Sequence, residues 1–209
     1  MTTNEPNAIV TLAGITGVVA SASSAPEAGT VDDLIAKIRS TDDDVRSSAL
    51  ENIGSGGPPA VKPLAAMLTD SDFEIVRVAK RALYRIVHHA GRPGAEPEAS
   101  AVEQELIPLL KSAAVSVRRE VLWLLSEIGG EDAVAPIAVL LGDAEVREDA
   151  RCALMRLPNV GATAALRSAF ASAPEDFKFA LAESLRQRGE KVAGYPSKKL
   201  SPTKQTSVR

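Results

Sequence analysis

One pattern recurs five times along this 209-residue chain, and it constrains the fold more than any other feature. Each copy has an acidic or small loop, a β-branched or aromatic residue, a nearby base, and then apolar residues at helical spacing. The copies span residues 42–54, 72–87, 115–129, 144–158 and 175–189. Such a recurrence is typical of stacked, similar units rather than of one globular core.

The first apolar residue of each copy serves as an anchor, and the anchors are separated by 30, 42, 29 and 31 residues. The anchors are Val45, Ile75, Val117, Val146 and Phe177. Apolar residues follow at anchor +4, +7, +8 and +11, which is a stripe less than about 100° wide on a helix. We therefore predict five amphipathic helices, called B helices below, with an insertion at residues 91–100. Two copies depart from this spacing: the first B helix is a turn short, and the fifth copy has Ser184 and Arg188 at positions that are otherwise apolar. Both departures are expected of terminal repeats.

A second set of helices, called A helices, is predicted between the B helices. Residues 60–68, 105–112 and 133–141 each carry a Pro two residues after an aliphatic residue, and the prolines are Pro63, Pro108 and Pro136. Because Pro is tolerated in the first turn of a helix, these segments are predicted to begin in the same way. Residues 31–40 and 161–170 fill the equivalent places at the ends. The predicted fold is all-α, a right-handed α-solenoid of about five helical hairpins.

This alternation resembles the HEAT repeat family, in particular the short bacterial HEAT-like repeats also found in phycobilin lyases. The prolines match the family's helix A, and the stretch from Asp42 to Arg46 matches its Asp-x-x-Val-Arg start of helix B. Asp72 to Arg77 and Val146–Arg147 match that start in part. The resemblance covers residues 31–189 and implies an armadillo-type superhelix whose B helices line the concave surface. It is specific for the fold and says little about activity.

The chain divides into three predicted parts: a flexible or signal-like segment 1–30, a repeat domain 31–189 and a basic disordered tail 190–209. Residues 8–22 are uncharged and end in a small-x-small pattern, but no basic residue precedes them as a secretory signal requires. We therefore expect a cytoplasmic protein, with export left open if residues 1–22 act as an atypical signal. No apolar run is long enough to span a bilayer.

The charge and the metal-binding residue types argue against several function classes. Residues 31–188 hold 19 basic and 24 acidic side chains, whereas a nucleic-acid binder normally has a basic body. Cys152 is the only cysteine, and His88 and His89 are adjacent, so they point about 100° apart on a helix and cannot chelate together. We predict no catalytic residues, no metal site and no cofactor.

The charged residues around the turns are predicted to be structural. Acids at the starts of B helices should cap the helix N-termini; they are Asp42, Asp43, Asp44, Asp70, Asp72, Asp143, Glu175 and Asp176. Bases that follow the anchors should bridge adjacent turns; they are Arg46, Arg77, Arg118, Arg147 and Lys178.

A candidate binding surface lies on the other face of the B helices, at anchor +2, +5, +6 and +9. Arginines and large apolar side chains recur there, and such residues are favoured at binding hot spots. The candidates are Arg77, Arg81, Tyr84, Arg119, Trp123, Arg151, Met155, Phe179 and Arg186. The alternative is that Trp123, Met155 and Phe179 pack sideways on neighbouring B helices or beneath a returning tail.

The leading interpretation is a monomeric, non-enzymatic scaffold that binds a protein or peptide partner on its concave surface, with no specific nucleic acid and no transmembrane segment. One alternative is a phycobilin lyase-like subunit, which an absorbance change on mixing with bilin would support. Another is a HEAT-like DNA glycosylase or nucleic-acid binder, in which Trp123, Arg119 and Glu148 would form the site. Binding of duplex DNA at two salt concentrations discriminates that alternative.

Overall fold

The computed structural model describes residues 28–197, and these residues form helices, turns and loops with no β-strand. The α-helices in this range are α1 (Ala28–Ile38), α2 (Asp43–Asn52), α3 (Gly57–Ala66), α4 (Phe73–Ala90), α5 (Glu96–Leu106), α6 (Val115–Ile128), α7 (Glu131–Val139), α8 (Arg147–Arg156), α9 (Val160–Ser172) and α10 (Glu175–Gln187). Short 3₁₀ segments are Ile53–Gly56, Met67–Thr69, Ile107–Lys111 and Leu140–Gly142. Most of the predicted segment 1–30 and residues 198–209 of the predicted tail lie outside the described residues.

Consecutive helices pair as five helical hairpins, from α1 with α2 to α9 with α10. The odd-numbered A helices form one layer and the even-numbered B helices form the other, with each B helix packed on the next one. In the A layer α3 packs on α1 and α5, and α9 packs on α7, while α7 meets the preceding hairpin through Ile107–Lys111. The major contacts thus join hairpins that are neighbours in sequence, which confirms the predicted α-solenoid.

The core lies between the two layers and contains the predicted apolar stripes. In α6 the stripe residues Val121, Leu124 and Leu125 are fully buried, and in α10 the anchor Phe177 is the largest fully buried side chain. The anchor Val45 is an exception, at 38% exposed. It lies in the first described hairpin, which has a neighbouring hairpin on one side only, so its stripe is incompletely covered.

The prediction that Pro63 and Pro136 lie in the first turn of their helices is wrong. Both lie inside helices, because α3 begins at Gly57 and α7 at Glu131, and Pro108 lies in the 3₁₀ segment that follows α5. Pro lacks the N–H that would donate to the carbonyl four residues earlier, so each helix loses one bond there. All three A helices change to 3₁₀ geometry shortly after or at the Pro, which sets the tight turn into helix B.

Helix boundaries depart from the predicted segments at three places. Residues 28–30, predicted as part of the N-terminal segment, form the first turn of α1. The predicted insertion 91–100 is a loop only over residues 91–95, because α4 ends at Ala90 and α5 begins at Glu96. Helix α8 begins at Arg147, because the backbone carbonyl of Asp143 accepts the N–H groups of Val146 and Arg147 in a preceding turn.

Several acids at the turns cap helices as predicted. The Asp42 side chain accepts N–H groups from Asp44 and Val45, and the Asp72 side chain accepts the N–H of Glu74. A further cap comes from a residue that sequence reasoning missed, because Glu103 on α5 caps α7 from 27 residues away. Its Oε1 accepts the Gly130 N–H at 2.8 Å and the Ala133 N–H at 3.0 Å.

The Glu103 cap depends on the absence of a side chain at Gly130. A Cβ at Gly130 would lie 3.2 Å from Glu103 Oε2, so glycine leaves the space that the carboxylate occupies. Glu103 is only 4% exposed, and its hydrogen bonds compensate for the burial of a charge. The third hairpin is thereby tied to the fourth by a polar contact as well as by apolar packing.

Two of the predicted bridging bases join neighbouring turns. Arg118 contacts Asp143 at 3.2 Å and Glu145 at 3.3 Å, and Arg147 contacts Asp176 at 2.8 Å. The prediction is wrong for the other three, Arg46, Arg77 and Lys178, which pair with acids of their own helices. The acids of the turn after Arg46 are already engaged, since Asp70 lies 3.4 Å from Arg39 and Asp72 caps α4. The turn after Arg77, residues 112–114, contains no acid.

Ser184 and Arg188 of the last hairpin face inward rather than toward solvent. Ser184 is fully buried and its Oγ accepts from Arg151 Nη1 at 2.6 Å. The Arg188 guanidinium donates to the backbone carbonyls of Leu154, Met155, Leu157 and Asn159. Because the last carbonyls of a helix lack intrahelical partners, Arg188 caps the C-terminus of α8 from the next hairpin.

Replacing Glu103 by Ala should lower the free energy of unfolding by about 2–3 kcal/mol, because two N–H groups at the start of α7 lose their acceptor. Urea denaturation monitored by circular dichroism measures the change. The matched control is Glu105→Ala on the same helix, which removes a partly exposed pair with Lys62 and should cost about 0–1 kcal/mol. Equal losses in the two variants would contradict the capping role.

Candidate binding surface on the B helices

The B-helix face is defined here as the exposed side chains of α4, α6, α8 and α10 that point away from the A helices. The nine predicted residues lie on these four helices, and six of them are exposed: Arg77, Arg81, Tyr84, Arg119, Trp123 and Phe179. Arg151, Met155 and Arg186 are half-buried. Other positions of the same register, Leu122, Ser126 and Ala182, are buried, so the B-helix face is narrower than the sequence pattern predicts.

Cross-helix pairs join each B helix to the next along this face. Lys80 of α4 lies 3.0 Å from Glu120 of α6, and Arg119 of α6 lies 3.3 Å from Asp149 of α8. Arg156 of α8 also pairs with Glu127 of α6. The pair with Asp149 involves Arg119, a member of the predicted binding set, so Arg119 holds neighbouring helices together in addition to being exposed.

Trp123 is 49% exposed and forms the centre of a small crevice between α6 and α8. The Arg156 guanidinium carbon lies 5.1 Å from the centroid of the indole ring, in a cation–π contact. The crevice beside the ring has a volume of about 50 Å³ and is also lined by Arg119, Leu122 and Cys152. An indole held in place by charged neighbours, with one side accessible, presents a fixed apolar surface.

Helix α4 carries the basic part of the B-helix face. Arg77 pairs with Glu74 of its own helix at 2.5 Å, and the rings of Tyr84 and His88 lie 4.0 Å apart. Arg81 and Arg85 are exposed and form no ion pair with any residue between 28 and 197. This helix therefore differs from α6 and α8, whose arginines are paired.

Residues 190–197, called the strap below, return along α10 and cover part of its exposed side. The Tyr195 ring makes edge contacts with Phe170 at 5.3 Å and with Phe179 at 5.2 Å between ring centroids. Arg186 Nη2 donates to the carbonyls of Gly194 at 2.7 Å and Tyr195 at 2.8 Å. Aromatic packing and the Arg186 bonds thus give the strap defined contacts within the segment that the sequence predicts as a tail.

The strap occupies the side on which another B helix would pack. In α6 the residue at anchor +2, Arg119, contacts the next helix, and in α10 the residue at anchor +2 is Phe179, which contacts the strap. The alternative of packing beneath a returning tail thus holds for Phe179, and Arg186 is bound to the same segment. Both residues are less accessible to a partner than Trp123 while the strap is in place.

Two carboxylates of α10 anchor the strap, one at the first residue of the helix and one in its second half. Tyr195 Oη donates to Glu175 at 2.9 Å, and Ser197 donates to Glu183. Hydrogen bonds from Lys178 and then Tyr195 lower the pKa of Glu175, and hydrogen bonds from Ser197 and then Gln187 lower the pKa of Glu183. Because their pKa values are lowered in the folded state, the strap contacts are complete above the ordinary carboxyl pKa and are lost as the pH falls through the lowered values.

The side chains of the B-helix face that could take part in catalysis, Cys152 and Glu148, are both in contact with Arg151. Cys152 Sγ lies 3.2 Å from Arg151 Nη2, and Glu148 pairs with Arg151 at 2.8 Å. The structure does not join Trp123, Arg119 and Glu148 into one polar cluster, since Arg119 pairs with Asp149 instead. Between residues 28 and 197 there is no group of three or more His, Cys, Asp or Glu side chains arranged to hold a metal ion.

The family assignment follows from a match to the repeat units themselves. Residues 103–186, which form most of the last three hairpins, match the family model of HEAT repeats. This part of the chain consists of HEAT repeats. The resemblance noted from the prolines and the helix B starts is thus confirmed. No curated protein shows significant similarity to the chain, and no helix among residues 28–197 meets the length and hydropathy needed to cross a bilayer.

The solved structures to which the chain shows similarity include designed repeat proteins. A designed armadillo repeat protein in complex with the peptide (KR)4 is 23% identical, with 77% of this chain and 82% of that chain covered and a TM-score of 0.43. Computationally designed armadillo repeat proteins for modular peptide recognition give 22% identity, coverage of 77% and 83%, and a TM-score of 0.42. At these scores the assignment of the solenoid rests on the helix contacts described above and on the HEAT repeat match.

Replacing Tyr195 by Phe should raise the pKa of Glu175 toward its ordinary value, because the phenol no longer donates to the carboxylate while Lys178 still does. The pH dependence of the Glu175 carboxyl carbon shift, followed by NMR, measures this change. Tyr84→Phe is the control, since that hydroxyl belongs to α4 and should leave Glu175 unaffected. An unchanged Glu175 titration in Tyr195→Phe would contradict the strap contact.

Proposed function

We propose that this protein is a non-enzymatic HEAT-repeat scaffold that binds a protein or peptide partner on its B-helix face, the surface expected to be concave. The main support is Trp123, which is 49% exposed and lies in the middle hairpin of the solenoid. An apolar ring of this size is usually buried unless it contributes to recognition. Tryptophan and arginine together are the residues most enriched at interface hot spots.

The surroundings of Trp123 favour a binding role because they fix its position. Arg156 contacts the ring and pairs with Glu127, while Arg119 pairs with Asp149. A side chain that is ordered before binding loses little conformational entropy when a partner covers it. The charged residues around the ring supply a polar rim, which is the usual arrangement of a protein interface.

The size of the crevice favours a peptide side chain over a large cofactor. Pockets that bind drug-sized ligands have volumes of several hundred Å³ or more, whereas the crevice beside Trp123 measures about 50 Å³. A bilin chromophore would exceed that space many times over, so the phycobilin lyase-like alternative has less support. An interface that covers Trp123 from outside needs no deep cavity.

Peptides selected from a phage-displayed random library on the intact chain test this proposal. We expect selected peptides to bind, and the double variant Arg119→Ala, Trp123→Ala to weaken them at least tenfold, since truncated hot-spot residues cost about 2 kcal/mol or more. Calorimetric titration gives the affinities. Val139→Ala, which removes an exposed side chain from the A layer, should leave them unchanged.

Thermal unfolding of the same variants separates binding from folding. The Arg119–Asp149 pair is largely exposed, so its loss should change stability by about 0–1 kcal/mol. Equal peptide affinity in wild type and in the double variant would contradict a site at Trp123. Failure to select any peptide would contradict the wider scaffold proposal.

A further inference from the structure

The exposed side of α4 forms a basic stripe that the rest of the B-helix face does not continue. We define the basic stripe as Arg77, Lys80, Arg81, Tyr84, Arg85 and His88. After Glu74 the helix contains no acidic residue through its last position, Ala90. The six side chains are all exposed, so the positive charge is presented to solvent rather than buried against α3.

Spacing within the basic stripe places like charges next to each other. Arg77, Arg81 and Arg85 succeed one another at intervals of four residues, so their side chains are neighbours about 6 Å apart along the helix. Like charges at this spacing repel each other and destabilise a helix. Along α6 and α8 the arginines that point to the same side are all paired: Arg119 and Arg156 with acids of the neighbouring B helix, and Arg151 with Glu148 of its own helix. Arg81 and Arg85 form no ion pair among residues 28–197.

Carboxylates of a peptide match this row in charge and in spacing. Alternate residues of an extended strand are about 6.4–6.8 Å apart, and residues four apart on a helix are about 6 Å apart. Acidic side chains at either spacing can contact successive arginines of the row. The Tyr84 ring, 40% exposed and in tilted contact with the His88 ring, adds an apolar surface between the charged groups.

From this arrangement we infer that the basic stripe binds an acidic segment of a protein partner, an inference that rests on the proposed scaffold function. The Lys80–Glu120 contact holds α6 directly beside α4, so a segment bound on the stripe extends toward the helix that carries Trp123. The same ligand thereby uses charge at α4 and apolar contact at α6.

A short acidic peptide fits this surface better than a nucleic acid does. The stripe is one helix wide and about 16 Å long, from the rise of 1.5 Å per residue. Beyond it the face carries carboxylates on the next two B helices, namely Glu120, Glu127, Glu148 and Asp149. These carboxylates pair with Lys80, Arg156, Arg151 and Arg119, so no arginine of α6 or α8 that faces this side is left unpaired. Duplex DNA bears a charge every ~1.7 Å and would find no unpaired cation for its phosphates on these two helices once it left α4.

Fluorescence anisotropy with the intact chain and defined probes tests the inference. The probes are a labelled dodecapeptide of alternating Glu and Ser with one central Trp, the same peptide with Gln in place of Glu, its Lys counterpart, and a duplex DNA of 16 base pairs. We expect the Glu peptide to bind at least tenfold more tightly than the Gln and Lys peptides, and to weaken as salt is raised. We also expect the DNA to bind more weakly than the Glu peptide.

The double variant Arg81→Ala, Arg85→Ala should weaken the Glu peptide about tenfold, because the row loses its two unpaired cations. Its matched control is Lys37→Ala, Lys62→Ala, which removes two exposed cations from α1 and α3 of the A layer. That variant should bind the Glu peptide as the wild type does. Circular dichroism melting of both variants confirms that the fold is retained.

Three results would overturn the inference: no preference for Glu over Gln, no loss in the Arg81/Arg85 variant, or tighter binding of the DNA. The proposed function is tested separately by the library peptides. If those peptides depend on Trp123 and not on Arg81 and Arg85, the scaffold proposal stands and the acidic specificity is wrong. If neither the library nor the Glu peptide yields a ligand, both proposals are wrong.

Discussion

Burial of one apolar stripe per helix between two helical layers is the constraint on which the rest of this structure depends. The stripes consist mainly of Ala, Val, Leu and Ile, with Phe177 as the largest fully buried side chain. A single hairpin has too little apolar surface to offset the conformational entropy lost on folding, so each one is stabilised by its neighbours. Stacking of the hairpins buries the apolar stripes, and it leaves the outward sides of both layers uncovered.

Polar contacts between neighbouring hairpins fix how they stack. Glu103 caps α7 from α5, Arg118 and Arg147 reach the next turn, and Arg188 caps the end of α8 from α10. Glu103 and Arg188 bind backbone N–H and C=O groups that lack partners at the helix ends. Arg118 and Arg147 instead form ion pairs with acids of the next turn. At the last hairpin no sixth B helix is present among residues 28–197, and the strap takes its place through Tyr195 and Arg186.

The repeat made most of the fold predictable from the sequence. Apolar spacing correctly placed the buried residues of α6 and α8, and acids before the B helices correctly indicated the caps at Asp42 and Asp72. The prolines were misplaced because Pro is also tolerated inside a helix when its lost hydrogen bond lies near a transition to 3₁₀ geometry. The Glu103 cap was missed because it joins residues of different hairpins, and such distant contacts leave no periodic signal.

The candidate site was predictable in position but not in chemistry. All nine predicted residues lie on the B helices, yet Arg119 pairs with Asp149 of the next B helix, so its charge is already neutralised although the side chain is exposed. An acid located 30 residues after an arginine, one repeat further on, is a signal that could have found this pair. The strap over Phe179 had a weaker signal, since Tyr195 is a single aromatic residue in a polar segment.

The central claim is that hairpins stacked only on their neighbours leave the B-helix face open for a partner. Hydrogen–deuterium exchange by mass spectrometry, with and without a saturating library-selected peptide, tests this claim most directly. The account predicts that added protection is confined to α4, α6 and α8, with the A helices α3, α5 and α7 unchanged. Protection centred on the A helices instead would contradict it.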